Sequence, residues 1–431
     1  MQRSDPTAGS TPESRKGQEP RRATGWAQTF EALRYRNYRL LWTSTLLISG
    51  GNWLQQVTLG WLAYELTRSP LQVGIIMGLR TLPLLLSPLT GVLADRFERR
   101  IILLIDQAVL IVIAVGFASL LLFGEPEPWH LYVFSVLVGL AWAVNNPVRQ
   151  ALVANSVPKA SLMNAVALNS VAFNSMRTIG PAIGGVFIVA FGPGVNFMLQ
   201  AVLYVLVFAL MLPYRAEYAT ADREQARNEP VLRSLGEGFR YVAHEPTTLT
   251  ITLVTAVMTL TMMGFVMNQL PVYAAEVLGS PGGNVLGLLL MAMGIGGVIG
   301  TITMARFSSF ERKGLLVIFG VVGSGLAILA LAQATVLWQA MAALVVQQAF
   351  IMVVMTTNNT IIQTITPDAI RGRVIGIYMM EIGMIPIGGV TAGAIASRFG
   401  VDVALMVGAT AGLVVIGLFA ALVPRLRELR F

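Results

Sequence analysis

Ionisable side chains within long apolar segments are the residues of this sequence whose chemistry is most informative. Glu381 and Asp106 place carboxyl groups in two such segments, and Arg80 and Arg177 place guanidinium groups in two others. A charge in apolar surroundings is costly, so these side chains are expected to bind ions, protons or substrate, or to pair with one another. Burial disfavours the charged form of Glu381, which makes it the first candidate for carrying a proton. Asp106 is the second; its alternative is a structural pair with a neighbour such as Arg149.

Neutral polar side chains share the apolar segments with these charges. They either hold helices together or face a water-filled cavity, because lipid does not satisfy their hydrogen bonds. If Arg80 and Arg177 face such a cavity, they make it basic and suited to an anionic or polyphenolic substrate; the alternative is snorkelling or fixed pairing. The candidate cavity residues are Gln55, Gln56, Arg80, Asn145, Arg177, Asn268 and Gln347.

The composition indicates which elements position these side chains. Only 12% of the 431 residues are charged, about half the usual share of a soluble domain, and the mean hydropathy is +0.69. Both indicate an integral membrane protein. The basic residues lie at the ends of apolar segments rather than on an aromatic patch, so no nucleic-acid partner is expected. The polar N-terminus contains no apolar core of the kind that a signal peptide requires.

Several chemistries are excluded by residue type. Without cysteine, the chain forms no disulfide, zinc–thiolate site or thiol nucleophile. Its two histidines, His130 and His244, fall in predicted loops, so neither a His-based metal site nor an intramembrane His relay is expected. No phosphate-binding loop and no nucleophile–base set is present. We therefore expect neither an enzyme nor an ATP-driven pump, and no metal or cofactor.

Twelve apolar segments are long enough to cross a membrane, which takes about 20 residues each. They predict an all-α membrane protein. Spans 1 to 12 cover residues 40–65, 71–94, 101–123, 129–153, 161–191, 194–213, 248–276, 284–305, 315–333, 336–364, 371–397 and 403–423.

The distribution of lysine and arginine orients these spans. Arg80 and Arg177 lie within spans, and only Arg68 and Arg398 lie at the ends opposite to the two termini. All the other basic residues lie on the side of the termini. Positive charge marks the cytoplasmic side, so both termini are predicted to be cytoplasmic.

One long polar stretch divides the spans six and six. It predicts two six-helix bundles related by a weak internal repeat. The predicted units are a disordered cytoplasmic tail at residues 1–37, a first bundle at 38–213, a cytoplasmic linker at 214–247, a second bundle at 248–424 and a cytoplasmic tail at 425–431.

A charged loop between spans 2 and 3 carries the first family resemblance. Its sequence GVLADRFERR includes Gly91, Asp95, Arg96, Arg99 and Arg100. It resembles the loop between helices 2 and 3 of the major facilitator superfamily (MFS), although Glu98 stands where that family usually has glycine. Gly91 permits close helix packing, and the Asp95 carboxylate can cap a helix and hold the two halves together as a gate. Arg371 and Arg373, which resemble another family motif, are candidate partners across that gate.

A second resemblance lies in span 5. Gly180, Pro181, Gly184 and Gly185 resemble the GPxxGG motif of MFS exporters, which is associated with drug/proton antiporters; the upstream glycine of that motif is replaced by Met176. Proline removes a backbone hydrogen bond and glycine removes a side chain, so this helix can bend and pack closely. The motif favours export over uptake. The alternative is generic packing of small residues.

Residues 38–424 as a whole resemble the MFS, and within it the branch of enterobactin exporters and transmembrane secretion effectors. The narrower likeness rests on Tyr38–Trp42, Tyr64–Thr67, Leu82–Pro83, Ala94–Phe97 and Asn146–Pro147. It implies two pseudo-symmetric bundles and alternating access. The expected protein is a monomeric secondary transporter of the bacterial inner membrane, which exports a drug or siderophore in exchange for protons. Uptake, facilitated diffusion and a transporter-like membrane sensor remain alternatives.

Overall fold

Long α-helices make up the structure, a computed structural model that describes residues 29–86, 98–215, 231–280, 282–307 and 310–423. No β-strand occurs within these ranges. The predicted all-α membrane fold with twelve spans is therefore confirmed. Residues 87–97 lie outside the described ranges, and with them Gly91, Asp95 and Arg96 of the predicted gate.

The first half of the chain contains spans 1 to 6. Span 1 is the helix Arg36–Thr67, and span 2 is Pro70–Thr81 continued by a 3-10 turn, Leu82–Leu86. Spans 3 and 4 are Arg99–Phe123 and Pro128–Asn155. Spans 5 and 6 form the continuous helical segment Leu162–Met211, which is broken at Gly192. Gly192 has φ 81°, a conformation that suits glycine, and Pro193 follows it, so the chain reverses there without a longer loop.

The second half repeats this plan with more irregular helices. Span 7 consists of Pro246–Met258, a π-helical turn Thr259–Met263 and Gly264–Glu276. Spans 8, 9 and 10 are Gly283–Arg306, Lys313–Ala332 and Leu337–Ile365. Span 11 consists of Asp368–Met380, a 3-10 turn Glu381–Met384 and Ile385–Phe399, and span 12 is Val401–Leu422.

Eight described helices are long and apolar enough to cross a membrane, and the one that ends at Met211 holds two spans. The remaining predicted spans, 1, 2 and 11, are not among these long apolar helices, and their sequences and helix breaks explain why. Span 1 carries several polar side chains, among them Asn52, Gln55 and Gln56. Spans 2 and 11 are interrupted by 3-10 turns. Irregular, polar helices are tolerated at membrane depth where they face protein or a cavity rather than lipid.

The polar stretch between the halves contains a helix that the sequence analysis did not predict, Val231–His244. It packs against the first segment of span 11. An ion pair joins Glu237 to Arg373, and Gly238 lies against Arg373 and Ile377. The linker is therefore fixed to span 11 over this length.

The end of the N-terminal tail is also ordered, contrary to the prediction of a disordered segment up to residue 37. The short helix Glu31–Arg34 precedes span 1, and the backbone N–H of Ala32 donates to Oδ1 of Asn164 at 2.9 Å. The hydroxyl of Ser161 donates to Glu31 at 3.0 Å. These contacts attach residues 29–37 to the start of span 5.

Spans 3, 6, 9 and 12 lie at the periphery. Span 3 shows this in its exposed side chains, Ile101, Ile105, Val109 and Val112, which recur every three or four residues and form one lipid-facing stripe. The other eight spans surround the centre.

The two halves meet at helix faces where glycine allows close packing. A methyl group placed on Gly287 of span 8 would lie 2.5 Å from the carbonyl oxygen of Pro181 in span 5. One placed on Gly393 of span 11 would lie 2.5 Å from the carbonyl oxygen of Pro70 in span 2. Gln269 of span 7 reinforces the second contact by donating to Pro70 at 3.3 Å and to Gly389 at 3.2 Å. Backbone packs on backbone at both contacts, at the ends of these spans that the arginine distribution assigns to the outside.

Candidate functional site

A central cavity lies between the two halves and encloses about 1360 Å³, part of it open to solvent. All eight central spans contribute to its wall, and no peripheral span does. The side chains that line it are Asn52, Trp53, Gln56, Arg80, Thr81, Leu84, Trp142, Asn146, Phe173, Arg177, Met263, Met267, Asn268, Leu290, Met293, Met352, Met355 and Ile385.

The two walls of this cavity differ chemically. The wall from spans 1, 2, 4 and 5 carries both guanidinium groups and most of the polar side chains. The wall from spans 7, 8, 10 and 11 is apolar except for Asn268, and five of its residues are methionines: Met263, Met267, Met293, Met352 and Met355. Methionine is flexible and polarisable, so this wall can adapt to apolar groups of different shape.

Arg80 is held at the polar wall by three amide oxygens of span 1. Its Nε donates to Oε1 of Gln55 at 3.2 Å, and its two terminal nitrogens donate to Gln56 and Asn52. Asn52, Gln55 and Gln56 have the spacing i, i+3 and i+4, which places them on one face of the helix. The guanidinium group is thereby fixed in orientation while it keeps its charge.

Arg177 reaches the same wall from span 5. Its guanidinium carbon lies 6.0 Å from the centroid of the Trp53 ring, within the range of a cation–π contact. Among the described residues, no carboxylate lies within ion-pair distance of Arg177 or Arg80. The cavity therefore presents two positive charges for which the described residues provide no counter-charge.

Glu381 lies behind the opposite wall rather than in the cavity. It begins the 3-10 turn Glu381–Met384, one turn before the cavity residue Ile385. Its side chain is 6% exposed, and both carboxyl oxygens lack a hydrogen-bond partner. The turn packs against Leu82–Leu86 of span 2, where Leu85 fits against Gly383. The turn that carries the carboxyl group thus forms a contact between the two halves.

Asp106, the other candidate acid, belongs to a buried network within the first half. It accepts a 2.5 Å hydrogen bond from Nδ2 of Asn145, whose Oδ1 accepts one from Nε of Arg149 at 3.3 Å. Arg149 also donates to the hydroxyl of Ser44 at 2.7 Å. Asn145 therefore joins the acid to the arginine.

Of the remaining cavity candidates, the structure places one in the cavity wall and the others outside it. Asn268 lines the cavity, and its Nδ2 donates to carbonyl oxygens of Gly264 and Ile385, which ties span 7 to span 11. Gln55 stands behind Arg80. Asn145 is buried in the network with Asp106, while its neighbour Asn146 lines the cavity. Gln347 is fully buried in span 10, outside the cavity, with neither amide atom hydrogen-bonded.

The GPxxGG-like segment of span 5 contacts two other helices. A methyl group on Gly180 would lie 2.8 Å from Cβ of Trp53, and one on Gly184 would lie 3.3 Å from Cα of Leu54, both in span 1. One on Gly185 would lie 2.7 Å from the carbonyl oxygen of Gly283 in span 8. Pro181 provides the carbonyl that Gly287 approaches. The segment therefore packs the first half internally and against the second half.

Three arginines of the predicted gate contact other described residues. Arg100 donates to the carbonyl oxygen of Leu212, at the end of span 6. Arg371 donates to the carbonyl oxygen of Thr366 at 3.3 Å, and Arg373 pairs with Glu237 of the linker helix. Arg99 begins span 3.

Sequence reasoning missed the methionine wall. None of its methionines, which come from spans 7, 8 and 10, was among the candidate cavity residues. The available signal was weak, because isolated methionines in a span have the same spacing whether they face a cavity or a neighbouring helix. Trp142 and Asn146 were likewise not assigned to the cavity.

Comparisons with known proteins agree with this geometry. Residues 27–430 match the family of transmembrane secretion effectors. The chain is 26% identical to the staphyloferrin A transporter of Staphylococcus aureus (strain NCTC 8325 / PS 47), over 84% of this chain and 90% of that protein. It is 27% identical to the multidrug efflux pump Tap of Mycolicibacterium fortuitum, over 90% of this chain and 96% of that protein. It is 28% identical to the enterobactin exporter EntS of Citrobacter koseri (strain ATCC BAA-895 / CDC 4225-83 / SGSC4696), over 74% of this chain and 72% of that protein.

Solved structures share the fold. A bacterial homologue of the human lysosomal transporter Spinster, in an inward-facing and unoccupied conformation, superimposes with a TM-score of 0.71 at 15% identity, over 92% of this chain and 98% of that one. A POT family transporter in complex with 5-aminolevulinic acid gives a TM-score of 0.74 at 10% identity, over 91% and 97%.

Proposed function

Because this chain belongs to the transmembrane secretion effector family of MFS transporters, we propose that it exports an anionic small organic molecule of the siderophore type. In this proposal, the substrate binds in the central cavity and leaves by alternating access across a bacterial inner membrane. The bundles 38–213 and 248–424 move about the linker 214–247, with both termini in the cytoplasm and the monomer as the working unit.

The observation that carries the proposal is the presence of Arg80 and Arg177 in one cavity with no described carboxylate within ion-pair distance. Two guanidinium groups in a partly desolvated site favour an anion and disfavour a cation. Arginine also matches carboxylate and catecholate oxygens through its planar donors. A cationic drug would have to bring its charge against both groups without a carboxylate to receive it.

The methionine wall indicates the rest of the substrate. Its flexible side chains accommodate an apolar body or an aromatic ring, so the substrate combines negative oxygen groups on one side with apolar surface on the other. The names of two relatives, a staphyloferrin A transporter and an enterobactin exporter, support a siderophore. The adaptable wall also supports a second candidate, the efflux of neutral or anionic drugs, in line with the multidrug pump among the relatives.

Proton exchange is proposed to act through Glu381. Among the described residues, no hydrogen-bond donor stabilises a charge on its carboxyl oxygens, and the turn that carries it packs against span 2. Movement of the two halves would change access to this group. Protonation and release at such a contact would couple proton flow to the conformational cycle.

Substrate class is tested by equilibrium binding to the purified protein and by uptake into inverted membrane vesicles. Catecholate and hydroxycarboxylate siderophores are compared with cationic dyes. R80Q and R177Q are each expected to weaken binding of the anions about tenfold or more, since a charged hydrogen bond contributes roughly 1.5–3 kcal/mol. R68Q is the matched control, because Arg68 is exposed and pairs with Glu65 outside the cavity. Tighter binding of cationic dyes than of any anion would refute the proposed substrate class.

Coupling is tested separately in proteoliposomes that hold a pH gradient. Substrate-triggered proton flux is expected in the unmodified protein and in E125Q, whose exposed residue lies in the loop between spans 3 and 4. The flux is expected to be lost in E381Q while substrate binding remains. Flux that survives in E381Q would move coupling to another acid, and transport without any proton flux would indicate a facilitator.

A further inference from the structure

A second polar cavity lies away from the central one, at the ends of spans 1, 3 and 6 that the arginine distribution assigns to the cytoplasm. It encloses about 810 Å³, part of it open to solvent. The residues that line it are Arg36, Asn37, Arg100, Leu212, Pro213 and Arg215. Nothing in the transport cycle proposed above uses this cavity, which we call the arginine pocket.

Three guanidinium groups converge on the arginine pocket without a carboxylate in its wall. Arg36 and Arg215 are exposed, and Arg100 is half-buried. No described acid pairs with any of the three. Glu98 is the N-cap residue of span 3, which contains Arg100, but it does not line the pocket. Like charges brought together in this way repel one another until an anion lies between them.

Two polar groups in the wall have unused donors. One terminal nitrogen of Arg100 donates to the carbonyl oxygen of Leu212, but its Nε is buried without a partner. Asn37 is 5% exposed, and its Oδ1 accepts the backbone N–H of Arg215 at 3.3 Å. Its Nδ2 donates to none of the described residues. A buried donor without an acceptor costs free energy, so Nε of Arg100 indicates an acceptor that the described residues do not provide.

We propose that the arginine pocket binds the phosphate group of an anionic phospholipid from the cytoplasmic leaflet. Phosphate oxygens satisfy several arginine donors at once, with the planar geometry that a guanidinium group prefers. Basic pockets between membrane helices on the cytoplasmic side are suited to anionic headgroups.

A phospholipid fits the pocket better than a free phosphate because one edge of the pocket is apolar. Leu212 and Pro213 are exposed beside the guanidinium groups, at the point where span 6 ends. This edge can pack against the glycerol and upper acyl region of a lipid, whereas a soluble phosphate gains nothing from it. The lipid would then hold together the ends of three helices that belong to the first half.

The test uses the full-length protein in detergent and counts bound lipid by native mass spectrometry. The probes are phosphatidylglycerol, phosphatidylcholine and the soluble headgroup analogue glycerol 3-phosphate. The unmodified protein is expected to retain phosphatidylglycerol about tenfold more tightly than phosphatidylcholine, and R36Q/R215Q is expected to lose most of this difference. R34Q/R39Q is the matched control, because it removes the same charge from the same region at residues outside the pocket.

Two further measurements keep the proposal falsifiable. R36K/R215K keeps the charge but loses the planar donors, so an intermediate preference for phosphatidylglycerol is expected. Thermal unfolding of each variant identifies any that fail to fold. If R36Q/R215Q does not fold, the phosphatidylglycerol preference of R36K/R215K provides the test. Equal loss of phosphatidylglycerol in R36Q/R215Q and R34Q/R39Q would overturn the site. Glycerol 3-phosphate that binds as tightly as the lipid would overturn the assignment to a phospholipid.

Discussion

The guanidinium carbon of Arg177 in span 5 lies 6.0 Å from the centroid of the Trp53 indole ring in span 1. Both side chains line the central cavity. The ring limits the positions that the Arg177 guanidinium group can take, and it does so without neutralising the charge. A positively charged site with a fixed direction is therefore available to substrate.

The first prediction concerns this pair. W53L is expected to weaken binding of an anionic substrate about two- to fivefold, because a partly exposed cation–π contact contributes roughly 0.5–1 kcal/mol. W53F keeps an aromatic face and is expected to retain most of the affinity. Equilibrium binding to purified protein measures both. W338L is the control, since Trp338 is exposed near the start of span 10, and equal affinity in W53L and the unmodified protein would contradict a role for the ring.

Much of the fold follows from the sequence, because a membrane span is recognised by its length and apolar content alone. The reversal at Gly192 and Pro193 was predicted as the boundary between spans 5 and 6. The linker helix Val231–His244 was missed because its pattern is that of an amphipathic surface helix within a polar stretch. Its contacts with span 11 come from residues more than a hundred positions later in the chain.

The cavity was predictable only in part, because the sequence does not fix the rotation of a helix about its axis. Asn145 and Asn146 are adjacent, and about 100° of helix rotation separates their side chains. One is buried beside Asp106, and the other lines the cavity. Gln55, Gln56 and Arg80 were predicted to lie in one site, but their mutual hydrogen bonds depend on how spans 1 and 2 pack.

The second prediction concerns the contact between spans 5 and 8. G287V is expected to separate the two spans on the outer side, because its Cβ would lie 2.5 Å from the carbonyl oxygen of Pro181 and 3.1 Å from Cα of Gly185. Backbone atoms cannot move aside as a flexible side chain can. The protein contains no native cysteine, so M352C provides a single labelling site in the cavity wall. Labelling of M352C by a membrane-impermeant maleimide from outside is expected to increase in G287V.

G116V is the matched control for this experiment. Gly116 lies in span 3, and a methyl group placed there would meet nothing within 4 Å. The substitution therefore changes glycine to valine in a membrane helix without disturbing a contact. Equal labelling of M352C in the G287V and G116V backgrounds would show that the glycine contact does not hold the outer side closed.

The third prediction concerns the buried network of Asp106, Asn145 and Arg149. D106N keeps an oxygen for Asn145 but removes the negative charge, which leaves the Arg149 guanidinium buried without compensation. Removing one of two interacting buried charges is destabilising, so D106N is expected to lower the thermal unfolding temperature. D106N/R149M removes both charges and is expected to recover part of the loss. Strictly additive effects of D106N and R149M would mean that the two charges do not interact.

The fourth prediction concerns the linker helix, which carries its own control. A methyl group on Gly238 would lie 2.8 Å from Cδ1 of Ile377 and 3.2 Å from Cβ of Arg373, whereas one on Gly236 would meet nothing within 4 Å. G238V and G236V change helix propensity equally, but only G238V pushes the helix away from span 11. Overpacking costs about 1–3 kcal/mol, so G238V is expected to unfold at a lower temperature than G236V. Equal unfolding temperatures would mean that the linker helix does not stabilise span 11.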